Sequence, residues 1–441
     1  MSFKQFFNIA DFFTTFRKSM DIVVVGAGLG GLAAALAVRT ASAAHKVLVL
    51  EAAPQLAEVG AGLQLTPNST KLLGRWGLED TLTNLATRPQ VFTISRYTGT
   101  KVLGRRDGFD REMVSKYGSP FCDIHRADLQ LAMFERAKQL GVQFMFNATV
   151  QQYDLESPSV TLLDGTRIEG DLIVAADGLW SKARSEFLAT NDPPVPTGDL
   201  AYRIVLNTDM IIDQDMKEFV SKPRVHLWAG PQCHAIYYPL RNNTMINIVL
   251  LVPDNLPENV AKASGDLEEM KELFRDWDPL LQRFLALVPA VFKWRLMNNA
   301  EMENWCNEKG TIAFLGDSCH PMLPYMAQGA NSALEDGAVL GGILSMVQSK
   351  SELPSALKIY QDLRKPRSWA MVKGSLKQRY WNHLPDGPEQ EDRDKLLQEQ
   401  FDEPQPGYPF YWLDPSLQSI VYSYDADEEV KAAWGRYSQK R

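Results

Sequence analysis

Apolar residues fall along this chain in two textures. The first is the short unbroken run: Asp21-Ile22-Val23-Val24-Val25, Lys46-Val47-Leu48-Val49-Leu50, Asp171-Leu172-Ile173-Val174-Ala175-Ala176 and Thr311-Ile312-Ala313-Phe314-Leu315. Runs this short, without alternation, predict strands buried on both faces, as in a parallel sheet. Between the first two lies Leu32-Ala33-Ala34-Ala35-Leu36-Ala37-Val38, an alanine-rich helix. Together they predict a βαβ unit. The second texture begins near residue 198. Val225-His226-Leu227-Trp228, His234-Ala235-Ile236-Tyr237-Tyr238 and Met245-Ile246-Asn247-Ile248-Val249-Leu250-Leu251 predict strands, divided by turn signals at Gly230-Pro231 and Asn242-Asn243. This predicts a mostly antiparallel sheet inserted between two parts of an α/β domain. Beyond about 330 the pattern is helical. The stretch 385–407, rich in Pro, Asp, Glu and Gln, predicts a loop or loosely held connection.

The first 19 residues stand apart. Phe3, Phe6, Phe7, Phe12, Phe13 and Phe16 recur at roughly helical spacing, with Lys4, Asp11, Arg17 and Lys18 between them. The pattern fits an arm packed on the body, with contact to a membrane surface as the alternative. No run is long and apolar enough for a spanning helix. The net charge of −8 argues against a general nucleic-acid binder. Four cysteines, with no CxxC pair among them, are too sparse for a disulfide framework or a zinc site. A reducing, cytoplasmic setting is the expectation, and no metal site is expected.

The turn Gly26-Ala27-Gly28-Leu29-Gly30-Gly31 follows the first strand and opens the helix. Glycines at Gly26, Gly28 and Gly31 permit a tight turn, a close approach by a pyrophosphate and close packing of helix on strand. The helix N-terminus offers free N–H groups to the phosphates. Glu51 ends the next strand, where a carboxylate can accept hydrogen bonds from both ribose hydroxyls. The pattern predicts a dinucleotide site without choosing between FAD and NAD.

Two later turns make that choice. Ala176-Asp177-Gly178-Leu179-Trp180-Ser181-Lys182-Ala183-Arg184 follows the third apolar run, and Gly316-Asp317-Ser318-Cys319-His320-Pro321 follows the fourth. With these three motifs in this order the sequence resembles the group A flavoprotein monooxygenases, the class of salicylate and 4-hydroxybenzoate hydroxylases. It departs at Ala175, where the family often has Gly. The resemblance implies an α/β fold: a Rossmann-type FAD-binding domain, an inserted mostly antiparallel substrate sheet and a helical C-terminal region. It places an extension at 1–19, the FAD-binding domain at 20–197 and 301–345, the substrate domain at 198–300 and the helical region at 346–441. It implies non-covalent FAD, with Asp317 on the ribitol, Arg126 reaching the FAD, and Asp177 and Gly178 supporting both FAD and the visiting nicotinamide cofactor. Pro324, Gly329, Ala330 and Asn331 resemble the flavin-ring loop and the start of the next helix. His320 reads as a packing or hydrogen-bonding residue.

The same resemblance implies the chemistry. NADPH or NADH reduces the flavin, and O₂ then gives a C4a-hydroperoxide that hands oxygen to an electron-rich aromatic carbon. Arg203 resembles an arginine that would pair with a phenolate, carboxylate or carbonyl oxygen of the substrate. Tyr237 and Tyr238 are further substrate-contact candidates. Neighbours on a strand point to opposite faces, so at most one of them faces the site. Pro321-Met322-Leu323-Pro324-Tyr325, Gln328-Gly329-Ala330 and Tyr424-Asp425-Ala426 resemble fungal members of the salicylate-hydroxylase-like branch, many of which act on natural-product phenols. The absence of a WxWxIP motif argues against a halogenase. An epoxidase or ring-rearranging oxygenase acting on an alkene or indole-like substrate stays open as the alternative.

Overall fold

In the computed structural model, which describes residues 19–56, 61–190 and 192–439, the four unbroken apolar runs lie side by side. They form a five-stranded sheet in the order Ile312–Phe314, Leu172–Ala175, Asp21–Val25, Lys46–Leu50 and Gln143–Met145. Every pairing in it is parallel. Helix Leu29–Ala41 and a three-stranded antiparallel sheet of Val150–Asp154, Ser159–Leu162 and Arg167–Glu169 bury their apolar residues in one core with these strands, which is why the central strands carry apolar residues without alternation. The Phe-rich stretch 1–18 lies outside the described residues. Among those described, no helix is long and apolar enough to cross a membrane.

Helix Leu29–Ala41 packs on helix Gly329–Met346 backbone to backbone. A Cβ on Gly337 would sit 2.6 Å from the Ala33 carbonyl carbon, and one on Gly341 would sit 2.6 Å from that of Ala37. Only glycine permits this approach.

The second sheet has eight strands: Lys262–Ser264, Phe292–Asn298, Val195–Asn207, Met245–Pro253, Cys233–Leu240, Arg224–Gly230, Val91–Arg96 and Val102–Asp107, in that order. It is antiparallel except where Arg224–Gly230 meets Val91–Arg96. That pairing brings in a hairpin from outside 198–300. It satisfies the backbone edge that Arg224–Gly230 would otherwise expose. One face carries Tyr202, Ile204, Trp228, Tyr237, Ile248 and Leu250 into a core closed by Phe219, Met270 and Phe284 from three short helices. The other face, with Ala201, Arg203, Ile236, Tyr238, Val249 and Leu251, looks onto the cavity described below.

The stretch 385–407 is not a loose loop. Pro388–Glu399 is a helix that buries Gln390, Arg393, Asp394 and Leu397. Pro388 sits in its first turn with Glu389 and Glu391, where a fixed φ and negative charge both favour helix. Arg393 pairs with Asp394 at 2.7 Å and donates to the Trp381 carbonyl at 2.5 Å. A polar composition hid a polar face that is buried through its pairings.

The long helix Leu353–Asn382 ends at His383, whose ring shares a 2.7 Å hydrogen bond with His234 of the sheet. Both rings are buried.

Two outcomes follow from this packing. Gly337→Ala gains about 1 kcal/mol of helix propensity but drives a methyl into the Ala33 backbone. Overpacking costs roughly 1–3 kcal/mol, so the variant should melt lower than wild type; an equal or higher Tm would show that the helices can separate at little cost. Burial lowers the His383 pKa to about 4 and holds that of His234 well below the usual 6.5. The folded state therefore keeps both rings neutral while the unfolded chain takes up protons. The stability this contributes is complete above about pH 6.5 and is lost as pH falls toward 4, by up to about 1.4 kcal/mol per pH unit for each ring. Thermal unfolding across that window should show the loss, and His383→Gln should flatten it.

Candidate active site

A cavity of about 560 Å³ lies between the two sheets. Its nucleotide side is built from turns at the C-terminal ends of the parallel strands, where open α/β sheets bind ligands. Its other side is the inner face of the eight-stranded sheet.

The first turn is shaped by three different needs for glycine. Gly26 has φ +106°, and a Cβ there would meet the Ala176 carbonyl oxygen at 2.4 Å. A Cβ on Gly31 would meet the Gly26 carbonyl oxygen at 1.9 Å. Around Gly28 a Cβ would meet nothing within 4 Å, because this residue borders an open cradle. Gly28 is also the N-cap of helix Leu29–Ala41 and supplies no side-chain cap. The first-turn N–H groups are thus left for a ligand. Glu51 accepts from the Ala27 N–H and from the Ala53 N–H, both at 2.9 Å. It fixes the turn, stands outside the cavity wall, and each oxygen keeps a lone pair for a ribose hydroxyl.

In the middle turn, Gly178 and Leu179 line the cavity, but the Asp177 carboxylate does not. It accepts from Ser181 Oγ at 2.6 Å, the Ala183 N–H at 3.0 Å and Tyr153 Oη at 3.1 Å. Asp177 is therefore a brace for the turn, and direct contact with either cofactor through its side chain is not what the fold offers. The physical reason is local: a carboxylate before a helix start is captured by the N–H and hydroxyl groups of that start.

The third turn does the opposite. Asp317 opens onto the cavity and has no hydrogen-bond or ion-pair partner among the described residues. Surrounding protein pushes its pKa up, while His320 and Arg126 pull it down. Arg126 faces the same space, also without an ion-pair partner. The turn is held from behind. Gly316, at φ +63°, donates its N–H to Asp336 Oδ2 at 3.0 Å. Asp336 also takes His320 Nε2 at 2.5 Å and Arg364 Nε at 2.8 Å. Burial alone would raise the Asp336 pKa; His320 and Arg364 hold it down at about 2. His320, its ring tilted against that of Trp305 at 5.1 Å, is a bracing residue away from the cavity.

Pro324, Gly329 and Ala330 line the cavity at the start of helix Gly329–Met346. Asn331 does not. Its Nδ2 donates to the Gln64 and Ala327 carbonyls and its Oδ1 accepts the Thr66 N–H. It ties the loop to strand Gly62–Leu65 and so positions its neighbours.

On the sheet side, Arg203 reaches the cavity with no carboxylate partner among the described residues. Its guanidinium lies 5.2 Å from the Trp294 ring. Burial lowers its pKa, and so does Arg126 nearby. Tyr238 faces the cavity and donates to the Gly62 carbonyl at 2.8 Å. Tyr237 points to the opposite face, 5.0 Å from Phe219 and 5.7 Å from Phe284. It is a core residue, and its candidacy for the site is withdrawn. The walls also include Gln64 and Trp294, which sequence reasoning passed over, Tyr325 of the Pro321–Tyr325 motif, and His234, which the sequence reads as structural. Only strand register shows that Trp294 and His234 share a face with Arg203.

An open cradle beside Gly28 and Gly178, two helix N-termini without side-chain caps and a free carboxylate at Asp317 fit a dinucleotide flavin. The pyrophosphate fits the first helix start, and ribityl hydroxyls suit Asp317.

Comparison with known proteins agrees. The FAD binding domain family matches residues 19–375. The FAD-dependent monooxygenase OpS4 of Beauveria bassiana (strain ARSEF 2860) is 49% identical over 417 residues, 93% of this chain and 96% of that protein. The 3-hydroxybenzoate 6-hydroxylase of Polaromonas naphthalenivorans (strain CJ2) is 31% identical over 369 residues, 81% of this chain and 86% of that one. In fold, a salicylate hydroxylase solved with its substrate superposes at a TM-score of 0.75 and 20% identity, over 94% of this chain and 98% of the other. Three nucleotide turns, their cradle and these relatives agree: the chain belongs to the family of FAD-dependent aromatic monooxygenases.

Proposed function

We propose that this enzyme consumes NADPH or NADH and O₂ to add one oxygen atom to a phenolic or other electron-rich aromatic ring, the second oxygen leaving as water. We place the reaction in natural-product assembly or in aromatic catabolism. When bound, FAD supplies the two-electron chemistry that links the nicotinamide to O₂. The observation that supports this reading is the cavity itself: dinucleotide-binding turns on one side face an apolar sheet carrying one unpaired arginine on the other.

Each residue then has a task. Gly26, Gly28 and Gly31 shape the phosphate turn, Glu51 receives the ribose, and Arg126 and Asp317 receive the rest of the flavin nucleotide. Gly178, Pro324, Gly329 and Ala330 form the wall beside the ring. The free N–H groups at Gly329 and Ala330, and the positive end of their helix, favour negative charge at the ring. Residues 20–197 and 301–345 serve the flavin and 198–300 serve the substrate, joined by the hairpin at 91–107; 346–441 buttress both. Arg203 shares the cavity face of the sheet with Ile236, Val249 and Leu251. In such surroundings an unpaired guanidinium lowers the pKa of a nearby phenol and holds its oxygen. The phenolate is the more electron-rich partner for oxygen transfer. Tyr238 fixes strand Gly62–Leu65 against the sheet, which closes the site to water.

On FAD-replete enzyme a panel of phenols should accelerate NAD(P)H oxidation in air, with products one oxygen atom heavier. A panel that yields neither effect would overturn the proposal. Asp317→Ala should bind FAD about tenfold or more weakly; unchanged FAD content in the purified variant removes Asp317 from the cradle. Arg203→Met should keep its FAD yet lose at least about tenfold in substrate-stimulated turnover. Wild-type turnover in that variant takes Arg203 out of the site.

A further inference from the structure

The inner face of the eight-stranded sheet does not stop at the cavity. Strand register sets His234, Leu251, Ala201, Trp294 and Lys262 in one row across five adjacent strands. The first four line the cavity. Lys262 is the next member outward, on the edge strand Lys262–Ser264. The neighbouring row runs Ile236, Val249, Arg203 and Phe292. Strands lie about 4.8 Å apart. Lys262 therefore stands roughly 10 Å beyond Ala201 along a continuous surface.

The outer end of that surface is unusual in composition. The Trp294 ring has Arg203 on it at 5.2 Å and Lys262 Nζ at 4.2 Å. Lys262 Nζ is also 4.9 Å from the Phe292 ring. Phe292 is 49% exposed, although it is a large apolar side chain. Neither Arg203 nor Lys262 has a carboxylate partner among the described residues, whereas Arg295 and Lys293 on strand Phe292–Asn298 are paired with Asp254 and Glu269. The sheet thus presents two aromatic rings and two uncompensated cations leading out of the cavity. Cation–π contact orders the cations without neutralising them.

We propose that Trp294, Phe292 and Lys262 form an outer subsite for the substrate, which receives an anionic group about 10 Å beyond Ala201 on the cavity wall. This rests on the reading of the cavity as an aromatic-hydroxylation site. It makes the substrate elongated: an electron-rich ring inside, an apolar spacer over Trp294, and an acid at Lys262. Charge complementarity selects the acid, and the exposed rings select an apolar spacer over a hydrated one.

The test uses FAD-replete enzyme and two probes, a phenol bearing a carboxylate on a straight six-carbon chain and its methyl ester. Binding is followed by the flavin absorbance change. The acid should bind about fivefold or more tightly than the ester at low salt, and the preference should shrink at high salt. Lys262→Ala should remove the preference while leaving FAD content, ester affinity and the KM for NAD(P)H unchanged; Lys262→Arg should retain it. Equal affinity of acid and ester, no binding of the acid, or a preference that survives Lys262→Ala overturns the inference. So does a rise in the KM for NAD(P)H in Lys262→Ala, which assigns the cation to the nicotinamide cofactor. If short phenols still drive NAD(P)H oxidation and hydroxylation in that enzyme, the outer subsite alone has failed. If no phenol does so, the reading beneath it has failed as well.

Discussion

The carboxylate of Asp336 joins the turn after the last parallel strand to two helices behind the cavity. It is fully buried, and it holds the Gly316 N–H, the His320 ring and the Arg364 guanidinium at once. Beside it, Glu335 pairs with Arg364 and Arg367 and accepts from Asn68. Arg367 in turn donates to the carbonyls of Ile420 and Val421. Removing one partner from such a cluster leaves an uncompensated buried charge and costs roughly 3–5 kcal/mol. The return strand, the helix behind the cavity and the C-terminal helices are coupled through it.

This coupling has a consequence for the site. Asp317 is free to face the cavity because its neighbour Gly316 is tied from behind. Asn331 repeats the arrangement one turn into the next helix, using its amide to pin Gln64, Thr66 and Ala327 so that Gly329 and Ala330 can face inward. In both places a polar side chain in the buried layer spends its hydrogen bonds on backbone, and an adjacent residue is left open for a ligand. The cavity's free groups are a carboxylate on the nucleotide side and guanidinium groups at Arg126 and Arg203. The rest of the wall is largely apolar. Charged groups left unpaired in such surroundings are costly unless a ligand meets them. That cost is the physical link between the fold and binding.

How much of this was legible in the residues depends on the range of the force involved. The three glycine turns were legible because each needs a backbone that side chains forbid: Gly26, Gly178 and Gly316 at positive φ, with Gly31 against the Gly26 carbonyl in the first turn. The buried strands were legible because a parallel sheet covered on both faces demands apolar residues throughout. Parity along a strand showed that Tyr237 and Tyr238 must part. Which of them entered the cavity was settled by the helices that cover one face of the sheet, and those lie outside the strand's own sequence.

Other features had no local signature. Asp177 sits in an Asp–Gly turn and Asp317 in a Gly–Asp turn, each just after a strand of the parallel sheet. One is captured by the helix start that follows it and the other is released, because a distant helix holds its turn. The helix Pro388–Glu399 looked like a solvated loop, since its buried Arg393 and Asp394 are neutralised only through pairing. The row from His234 to Lys262 brings together residues from five strands by register alone. The sequence by itself determined the nucleotide fold and its turns, because those follow from backbone sterics and short-range hydrophobic patterning. The tertiary structure decided which side chains face the cavity, because that depends on strand register, on buried ion pairs between neighbouring helices and on buried hydrogen bonds such as that of Asn331 with Thr66, 265 residues away.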